Sequence, residues 1–158
     1  MLVLAANRTF GLPYLITRTC NNFGEHQNPE KFLPKIYQCV KNEKEIPIYG
    51  DGTQVRQWIY VNDNVKILAD LMFDDKTINN VYNISSNIEY RNIDIINIIG
   101  EILGKKVKYK FVPDRLGHDR AYRIRTQALD TLYGILGLNK KLPHAFMNLK
   151  DYLENLYK

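Results

Sequence analysis

A glycine-rich turn with an arginine close behind it is the part of the sequence best suited to bind a ligand. The Gly-Asp-Gly turn at 50–52 lies between two short apolar runs, 46–49 and 58–61, and Arg56 follows it. Glycines permit positive φ and let backbone amides approach a ligand, while a guanidinium offers a planar fork of donors. Beside aromatic residues, this combination suits a diphosphate carried on a ring system. The simpler interpretation is a surface hairpin with a solvated arginine.

A second polar segment, Asp-Arg-Leu-Gly-His-Asp-Arg at 114–120, follows a predicted strand at 107–112. Two arginines and a histidine can bracket phosphate oxygens, and the two aspartates can fix the orientation of the guanidinium groups. The glycine allows a close approach of the backbone to a ligand. Taken as an isolated run of charges, the same residues indicate a solvated loop.

Two asparagines stand where a strand ends. The run 14–17 favours a short, buried parallel strand, and Asn21 and Asn22 come shortly after it. Ligands of open α/β sheets bind at the carboxyl ends of the strands, so these side chains are candidates for a binding site. The alternative is an asparagine pair that closes a strand-to-loop turn.

The elements that must position these residues alternate between helix and strand. Apolar spacing predicts helices over 33–40, 62–73, 92–103 and 127–136, a last helix carrying Phe146 to Leu156, and a strand at 81–85. Residues 1–9 indicate a helix that Gly11 and Pro13 end. The predicted buried stripe of the helix at 62–73 consists of Val65, Leu68, Ala69 and Met72.

Composition narrows the class of protein. The chain has 158 residues, 45% of them hydrophobic and 25% charged, which is typical of one soluble globular domain. It contains no apolar run of membrane-spanning length and no signal-peptide pattern, and two cysteines favour a reducing cytoplasm. The net charge of +5 favours anionic ligands, but dispersed basic residues without a reader motif argue against nucleic acid. Its three histidines are far apart and its cysteines lack ligand spacing, so no metal site is expected.

The ordered set of motifs resembles the C-terminal half of the dTDP-glucose 4,6-dehydratase family, NAD-dependent enzymes of the extended short-chain dehydrogenase type. The resemblance implies an α/β fold, with the end of a Rossmann-like parallel sheet at 1–28 and a smaller mixed α/β substrate-binding domain at 29–158. The motifs that carry it are Asn21-Asn22-Phe23-Gly24, Pro29-Glu30-Lys31-Phe32, Pro47 to Tyr60, Tyr60-Val61-Asn62-Asp63, Val81-Tyr82-Asn83-Ile84 and Asp114 to Arg120.

The resemblance also implies functional residues. Asn22 would contact NAD on the nicotinamide side, and the segment 114–120 would cover the nucleotide diphosphate. The resemblance implies a dTDP- or UDP-sugar as the substrate, and it implies a homodimer for the full-length protein. The residues implied in binding the sugar nucleotide are Asn21, Lys31, Phe32, Pro47, Ile48, Tyr49, Arg56, Asn83, Asp114, Arg115, Leu116, Gly117 and His118.

The family's catalytic groups are not found in the sequence. The glycine fingerprint of a dinucleotide site, the Asp-Glu pair and the catalytic Tyr-x-x-x-Lys would all precede Asn21. Tyr37 and Lys41 match that last spacing, but they follow Asn21 and Tyr37 lies on the apolar face of its helix. The chain is therefore predicted to be a substrate-binding portion, inactive alone and without tight NAD binding.

Two alternatives remain open. One is a fragment of an epimerase or decarboxylase acting on a UDP-sugar, and the other is a non-catalytic module for nucleotide-sugar binding or assembly. The Gly-His-Asp-Arg run and the Glu30-Lys31 pair favour the dehydratase. Two residues depart from the dehydratase pattern and argue against it: Gln57 replaces the usual aspartate, and Leu116 replaces the usual proline.

Overall fold

The computed structural model describes residues 1–135 and 148–157. Helices and strands alternate along most of the chain, which confirms the predicted α/β class. The helices are α1 (Leu2–Phe10), α2 (Phe32–Lys41), α3 (Val61–Met72), α4 (Asn92–Ile102), α5 (Gln127–Ile135) and α6 (Leu149–Tyr157), with a 3₁₀ turn at Asp75–Thr77. The strands are β1 (Leu15–Thr19), β2 (Asn21–Phe23), β3 (Ile46–Tyr49), β4 (Val55–Tyr60), β5 (Asn80–Ile84), β6 (Glu89–Arg91), β7 (Tyr109–Val112) and β8 (Ala121–Tyr122).

The described strands form three sheets. β1 and β5 pair in parallel, from Leu15 opposite Asn80 to Thr19 opposite Ile84. β4 pairs in parallel with β2 and β8 and antiparallel with β6. β3 pairs in parallel with β7. The predicted strand near residue 15 is therefore parallel, but it is half-buried to exposed rather than buried.

The predicted hairpin across the turn at 50–52 is wrong. β3 takes β7 as its partner, whereas β4 takes β2, β6 and β8. β3 alternates buried and exposed residues, with Ile46 and Ile48 in the core. Its long-range pairing with β7 satisfies the backbone while keeping these two side chains buried. A local turn signal does not reveal such distant partners, because both arrangements show the same apolar runs.

Strand β4 separates two hydrophobic clusters. Trp58 belongs to the cluster that joins α2, β3, α4 and α6, whereas its neighbour Ile59 belongs to the cluster around β5 and α3. Successive side chains of a strand point to opposite faces, so a single strand can serve both cores. The first cluster lies beneath the surface formed by α2 and β3, and thereby fixes how these two elements approach each other.

The buried face of α3 differs from the predicted stripe. Val65 is 54% exposed and Met72 is 70% exposed, while Asn64, Ile67 and Leu71 are buried. The buried face thus includes a polar residue at its first turn. An asparagine tolerates burial there because its amide donates a hydrogen bond to another side chain. Hydrophobic spacing alone selects apolar positions and therefore misplaced the face.

The division of the chain at residue 28 stays a prediction. The structure adds that the partner of β1 comes from residues 80–84, well beyond that boundary. Phe146 and Leu136, which the predicted helices include, lie outside the described residues. No helix within 1–135 and 148–157 combines the length and apolar character needed to cross a membrane.

Candidate nucleotide site

A pocket of about 260 Å³ lies between α2, β3, the start of α4 and the loop after β7. It brings together several residues that the sequence implicated in substrate binding, from three separate motifs. Its walls combine apolar and aromatic side chains with a few charged groups, as is usual for ligand pockets. The lining residues are Glu30, Phe32, Lys35, Ile36, Cys39, Ile46, Pro47, Ile48, Tyr49, Asn92, Ile96, Arg115 and His118.

Helix α2 supplies one wall through its regular spacing. Phe32, Lys35, Ile36 and Cys39 follow one another at i, i+3, i+4 and i+7, so they share a face of the helix. Ile36 is also part of the first hydrophobic cluster, which anchors this face against the core. The wall is therefore a packed helical surface rather than a loop.

Arg115 and Tyr49 close one side of the pocket. The guanidinium carbon of Arg115 lies 4.4 Å from the centre of the Tyr49 ring. A guanidinium at this distance from an aromatic face is attracted by the ring quadrupole while its N–H donors stay available at the edges. The contact places a cation and an aromatic surface side by side, which suits a ligand with a ring and a phosphate.

Asp114 organises the loop that carries Arg115. Its Oδ1 atom accepts hydrogen bonds from the Arg115 backbone N–H at 2.8 Å and from His118 Nδ1 at 2.6 Å. Its Oδ2 atom accepts a bond from Gln54 Nε2 at 3.3 Å. The bond from His118, first among several, lowers the pKa of the Asp114 carboxyl below its usual value. An ionised carboxylate only accepts, so Nδ1 of His118 carries a proton and Nε2 is the nitrogen left for a ligand.

The turn between β3 and β4 approaches this loop closely. Gly50 has a φ of 61°, and a Cβ atom placed on it would lie 2.9 Å from Oδ2 of Asp114. Its N–H donates to the Val112 carbonyl at 2.9 Å, which continues the β3–β7 pairing into the turn. Glycine is favoured at this position by its left-handed backbone conformation, and a Cβ atom would also crowd the Asp114 carboxylate.

Arg56 and Asn83 do not line this pocket. Arg56 Nη2 donates to the Asp119 carbonyl at 2.9 Å, and Asn83 Nδ2 donates to the Arg125 carbonyl at 2.9 Å. Both side chains thus hold the backbone of the segment 114–125, one near its middle and the other at its end. Their direct contact with a diphosphate stays a prediction.

Asn22 is held by hydrogen bonds on both sides of its amide. Nδ2 donates to the Cys20 carbonyl at 3.1 Å and to Thr19 Oγ1 at 3.4 Å, and Oδ1 accepts from Asn64 Nδ2 at 2.9 Å. Asn21 lies beside it in β2, which pairs with β4. The amide of Asn22 is thus saturated by protein partners. These residues do not by themselves make a dinucleotide site.

Three further predicted contacts lie outside the pocket lining. Lys31 directly precedes α2 and is exposed, and Leu116 is fully exposed at the tip of its loop. Gly117 has a φ of 72° and lies in the turn in which the His118 N–H donates to the Arg115 carbonyl at 3.2 Å. Gly117 shapes the loop, while direct roles for Lys31 and Leu116 stay predictions.

Sequence reasoning missed several residues of the site. Lys35, Cys39 and Asn92 line the pocket, and buried Gln54 contacts the loop behind it. The spacing of Lys35 and Cys39 from Phe32 was a usable signal, since it places them on one helix face. Nothing in the sequence marks Gln54, because a glutamine beside a glycine turn is usually exposed. Within the described ranges, no three His, Cys, Asp or Glu side chains are grouped to hold a metal ion.

The mixed α/β fold agrees with comparisons to known proteins. The sequence profile of the NAD dependent epimerase/dehydratase family matches residues 1–85. The chain belongs to this family. Members of the family use NAD, and solved relatives contain it.

The named relatives within the family are mostly dTDP-glucose 4,6-dehydratases. The low-salt glycan biosynthesis protein Agl12 of Haloferax volcanii is 46% identical over 133 residues, which cover 82% of this chain and 43% of that protein. dTDP-glucose 4,6-dehydratase 1 of Escherichia coli K12 is 36% identical over 141 residues, covering 84% and 39%. The crystal structure of the Bacillus anthracis dTDP-glucose 4,6-dehydratase with NAD superposes with a TM-score of 0.81 at 30% identity, covering 98% and 47%. The chain therefore spans less than half the length of these relatives.

Proposed function

We propose that this chain provides the nucleotide-sugar-binding portion of a 4,6-dehydratase that converts dTDP- or UDP-glucose to a 4-keto-6-deoxy sugar. The observation that carries the proposal is the pocket itself. It combines an apolar and aromatic slot, formed by Phe32, Pro47 and Tyr49, with a polar side that carries the Arg115 cation and the His118 imidazole. A nucleotide has the same two parts, a flat base and an anionic diphosphate.

The proposed arrangement puts the base against α2 and β3 and the diphosphate near the loop after β7. A volume of about 260 Å³ is small for a complete ligand, since drug-sized ligands occupy pockets from about 300 Å³ upward. The pocket therefore suits the base and its neighbourhood, with the sugar extending outside it. Arg115 offers a fork of donors for phosphate oxygens. With the His118 proton on Nδ1, its Nε2 is an acceptor and suits a hydroxyl group of the ligand.

The complete reaction needs more than these residues. Oxidation at C4, loss of water across C5 and C6, and return of a hydride to C6 require an acid, a base and a bound hydride carrier. NAD, when bound, supplies the hydride transfer. In our proposal the acid, the base and most of the NAD site come from residues other than these 158, so the chain alone is inactive.

Two alternative functions, a UDP-sugar epimerase and a non-catalytic binding module, can be distinguished from the proposed dehydratase. The family itself includes epimerases, so a UDP-sugar epimerase shares the same scaffold. A non-catalytic module that binds a nucleotide sugar would use the same pocket. An upstream reading frame that continues into the glycine fingerprint and Tyr-x-x-x-Lys supports an enzyme, and its absence supports the module. Conversion of dTDP-glucose by the complete protein separates dehydratase from epimerase.

We place the complete protein in the cytoplasm as a homodimer. Cys20 and Cys39 are both free, which supports a reducing compartment. The dimer rests on the family resemblance alone. Size-exclusion chromatography of the complete protein with light scattering tests the dimer directly.

Thermal unfolding of the chain with added nucleotide tests the binding proposal. UDP or dTDP at millimolar concentration should raise the melting temperature, because a ligand that binds only the folded state stabilises it. NAD at the same concentration should give no comparable increase. If neither nucleoside diphosphate raises the melting temperature, the proposed site is contradicted. A large rise with NAD would contradict the proposal that most of the NAD site lies outside these 158 residues.

A further inference from the structure

Gln54 is a buried polar residue that does not line the pocket but forms hydrogen bonds with the elements that make its walls. Its side chain is only 2% exposed, although glutamine is usually a surface residue. It does not line the pocket, but it lies directly behind residues that do. Burial of an amide costs free energy, and Oε1 of Gln54 has no hydrogen-bond partner among the described residues, so the bonds of its NH₂ group must offset that cost.

The side-chain amide of Gln54 joins two separate motifs. Nε2 donates to the Tyr49 carbonyl at 3.0 Å and to Oδ2 of Asp114 at 3.3 Å. Tyr49 ends β3, whereas Asp114 begins the loop after β7. One NH₂ group thus bridges the aromatic wall and the cationic wall of the pocket.

The backbone of Gln54 reaches a third wall. Its carbonyl accepts a hydrogen bond from the Asn92 N–H at 3.0 Å, and Asn92 is the first residue of α4 and lines the pocket. The position of residue 54 therefore sets the relative placement of β3, α4 and the loop at 114–118.

Asp114 connects Gln54 to Arg115 and His118, the two polar residues that line the pocket on this side. The oxygen not bonded to Gln54 accepts from the Arg115 N–H at 2.8 Å and from His118 Nδ1 at 2.6 Å. The bond from Gln54 at 3.3 Å restrains the second oxygen, so that both ends of the carboxylate facing Arg115 and His118 are held by partners. The same step orients the backbone that carries Arg115.

We propose that Gln54 is a positioning residue for nucleotide binding, acting through Asp114 on Arg115 and His118 and through the Tyr49 carbonyl on the aromatic wall. The proposal rests on the proposed function, since the ligand is the nucleoside diphosphate. It also assigns Asp114 a role different from the direct substrate contact predicted from sequence: its carboxylate is occupied in holding the donors. This role suits its charge, because a carboxylate facing a diphosphate would repel it.

A thermodynamic cycle in the full chain tests the proposal. Dissociation constants for dTDP are measured by calorimetry for the wild type, Gln54→Met, Asp114→Ala and the double variant, with exposed Gln38→Met on α2 as the matched control. We expect Gln54→Met to weaken binding about tenfold, the scale of one hydrogen bond to a charged group. In the Asp114→Ala background the same substitution should weaken binding clearly less than in the wild type, because the path through Asp114 is cut and only the path through the Tyr49 carbonyl remains. Gln38→Met should bind like the wild type.

Two readouts separate positioning from a general loss of structure. The ¹⁵N resonances of the His118 imidazole should report a proton on Nδ1 in the wild type and a mixture of tautomers in Gln54→Met. In the wild type, which needs no substitution to fold, the side-chain amide resonance of Gln54 should shift on addition of dTDP although the ligand does not touch it.

The outcomes distinguish this inference from the proposed function. If the wild type does not bind dTDP or UDP, both fail. If the wild type binds and Gln54→Met binds equally well, only the inference fails. It also fails if the loss in Gln54→Met is undiminished in the Asp114→Ala background, or if the Gln54 amide resonance stays unchanged on binding, since either result indicates a role confined to the fold.

Discussion

The guanidinium carbon of Arg115 lies 4.4 Å from the ring centre of Tyr49, and both residues line the pocket. The two residues come from motifs far apart in sequence, and the parallel pairing of β3 with β7 brings them together. Tyr49 is opposite Val112 in that pairing, so the loop that follows β7 must pass beside the tyrosine. The cation and the aromatic ring are thereby presented to a ligand from adjacent strand ends.

Removal of the Arg115 guanidinium should weaken nucleotide binding. Arg115→Ala is expected to reduce the binding free energy of dTDP by about 1.5–3 kcal/mol, the range for a hydrogen bond to a charged group. Arg115→Lys keeps the charge but loses the planar fork, so it should recover only part of the loss. Calorimetric titration measures both. Arg8→Ala, on α1, is the control and should bind like the wild type; equal affinity of Arg115→Ala and the wild type would remove this residue from the site.

Substitution of Gly50 should destabilise the chain more than substitution of Gly104. Both glycines have positive φ, 61° and 59°, so alanine costs each about 1–2 kcal/mol of backbone strain. A Cβ on Gly50 would also lie 2.9 Å from Oδ2 of Asp114, whereas a Cβ on Gly104 meets nothing within 4 Å. Urea unfolding of Gly50→Ala and Gly104→Ala should therefore show a clearly larger loss for Gly50. Equal losses would mean that the contact with Asp114 is not tight in solution.

The contribution of Asp114 to stability should depend on pH. Its pKa is lowered in the folded chain, chiefly by the hydrogen bond from His118. A group with a depressed folded pKa stabilises the fold above its unfolded pKa, which is about 3.9 for aspartate, and loses that contribution as pH falls through the folded value. The difference in unfolding free energy between the wild type and Asp114→Asn should thus be constant near neutrality and shrink below about pH 4.

Urea unfolding at several pH values between 3 and 7 measures this difference. Asp75→Asn, in the 3₁₀ turn away from the pocket, serves as a control for the general effect of removing one carboxylate. A difference for Asp114→Asn that grows on acidification would reverse the predicted sign and show that the carboxylate is not stabilised by its partners.

Replacement of Gln57 by a negatively charged side chain should destabilise the fold. Its Oε1 accepts from the Ile124 N–H at 2.9 Å, and its Nε2 lies 3.5 Å from Oε1 of Glu89, which Arg123 also contacts at 2.8 Å. Gln57→Glu would bury a carboxylate next to the exposed Glu89 and is expected to cost roughly 1–3 kcal/mol of stability. Adding Glu89→Gln should restore most of this loss. Chemical denaturation of both variants tests the pair, and no rescue in the double variant would show that the two side chains are not coupled.

Much of the fold could be predicted because its signals are local. The helical spacing of α2 and the apolar run of β5 each lie within a few residues, and the structure has both elements. Strand partners were not predictable in the same way. β3 and β4 flank a glycine turn, yet they pair with strands far along the chain, because burial of Ile46 and Ile48 depends on distant neighbours.

The residues of the site could likewise be predicted only in part from the sequence. Phe32, Tyr49, Arg115 and His118 were implicated by the family resemblance, and the structure gathers them at one pocket. The resemblance gives residues but not their connections. Asn64 and Gln54 are buried amides whose importance lies in hydrogen bonds to Asn22 and Asp114, and hydrophobic patterns carry no information about such bonds.

Titration of the ¹⁵N-labelled chain with dTDP, followed by NMR, most directly tests whether this pocket holds a nucleoside diphosphate. Saturable shifts should concentrate at Phe32, Tyr49, Arg115 and His118, and the exposed helix α1 should stay unchanged. Absence of shifts at millimolar dTDP, or shifts confined to residues away from these four, would contradict the account.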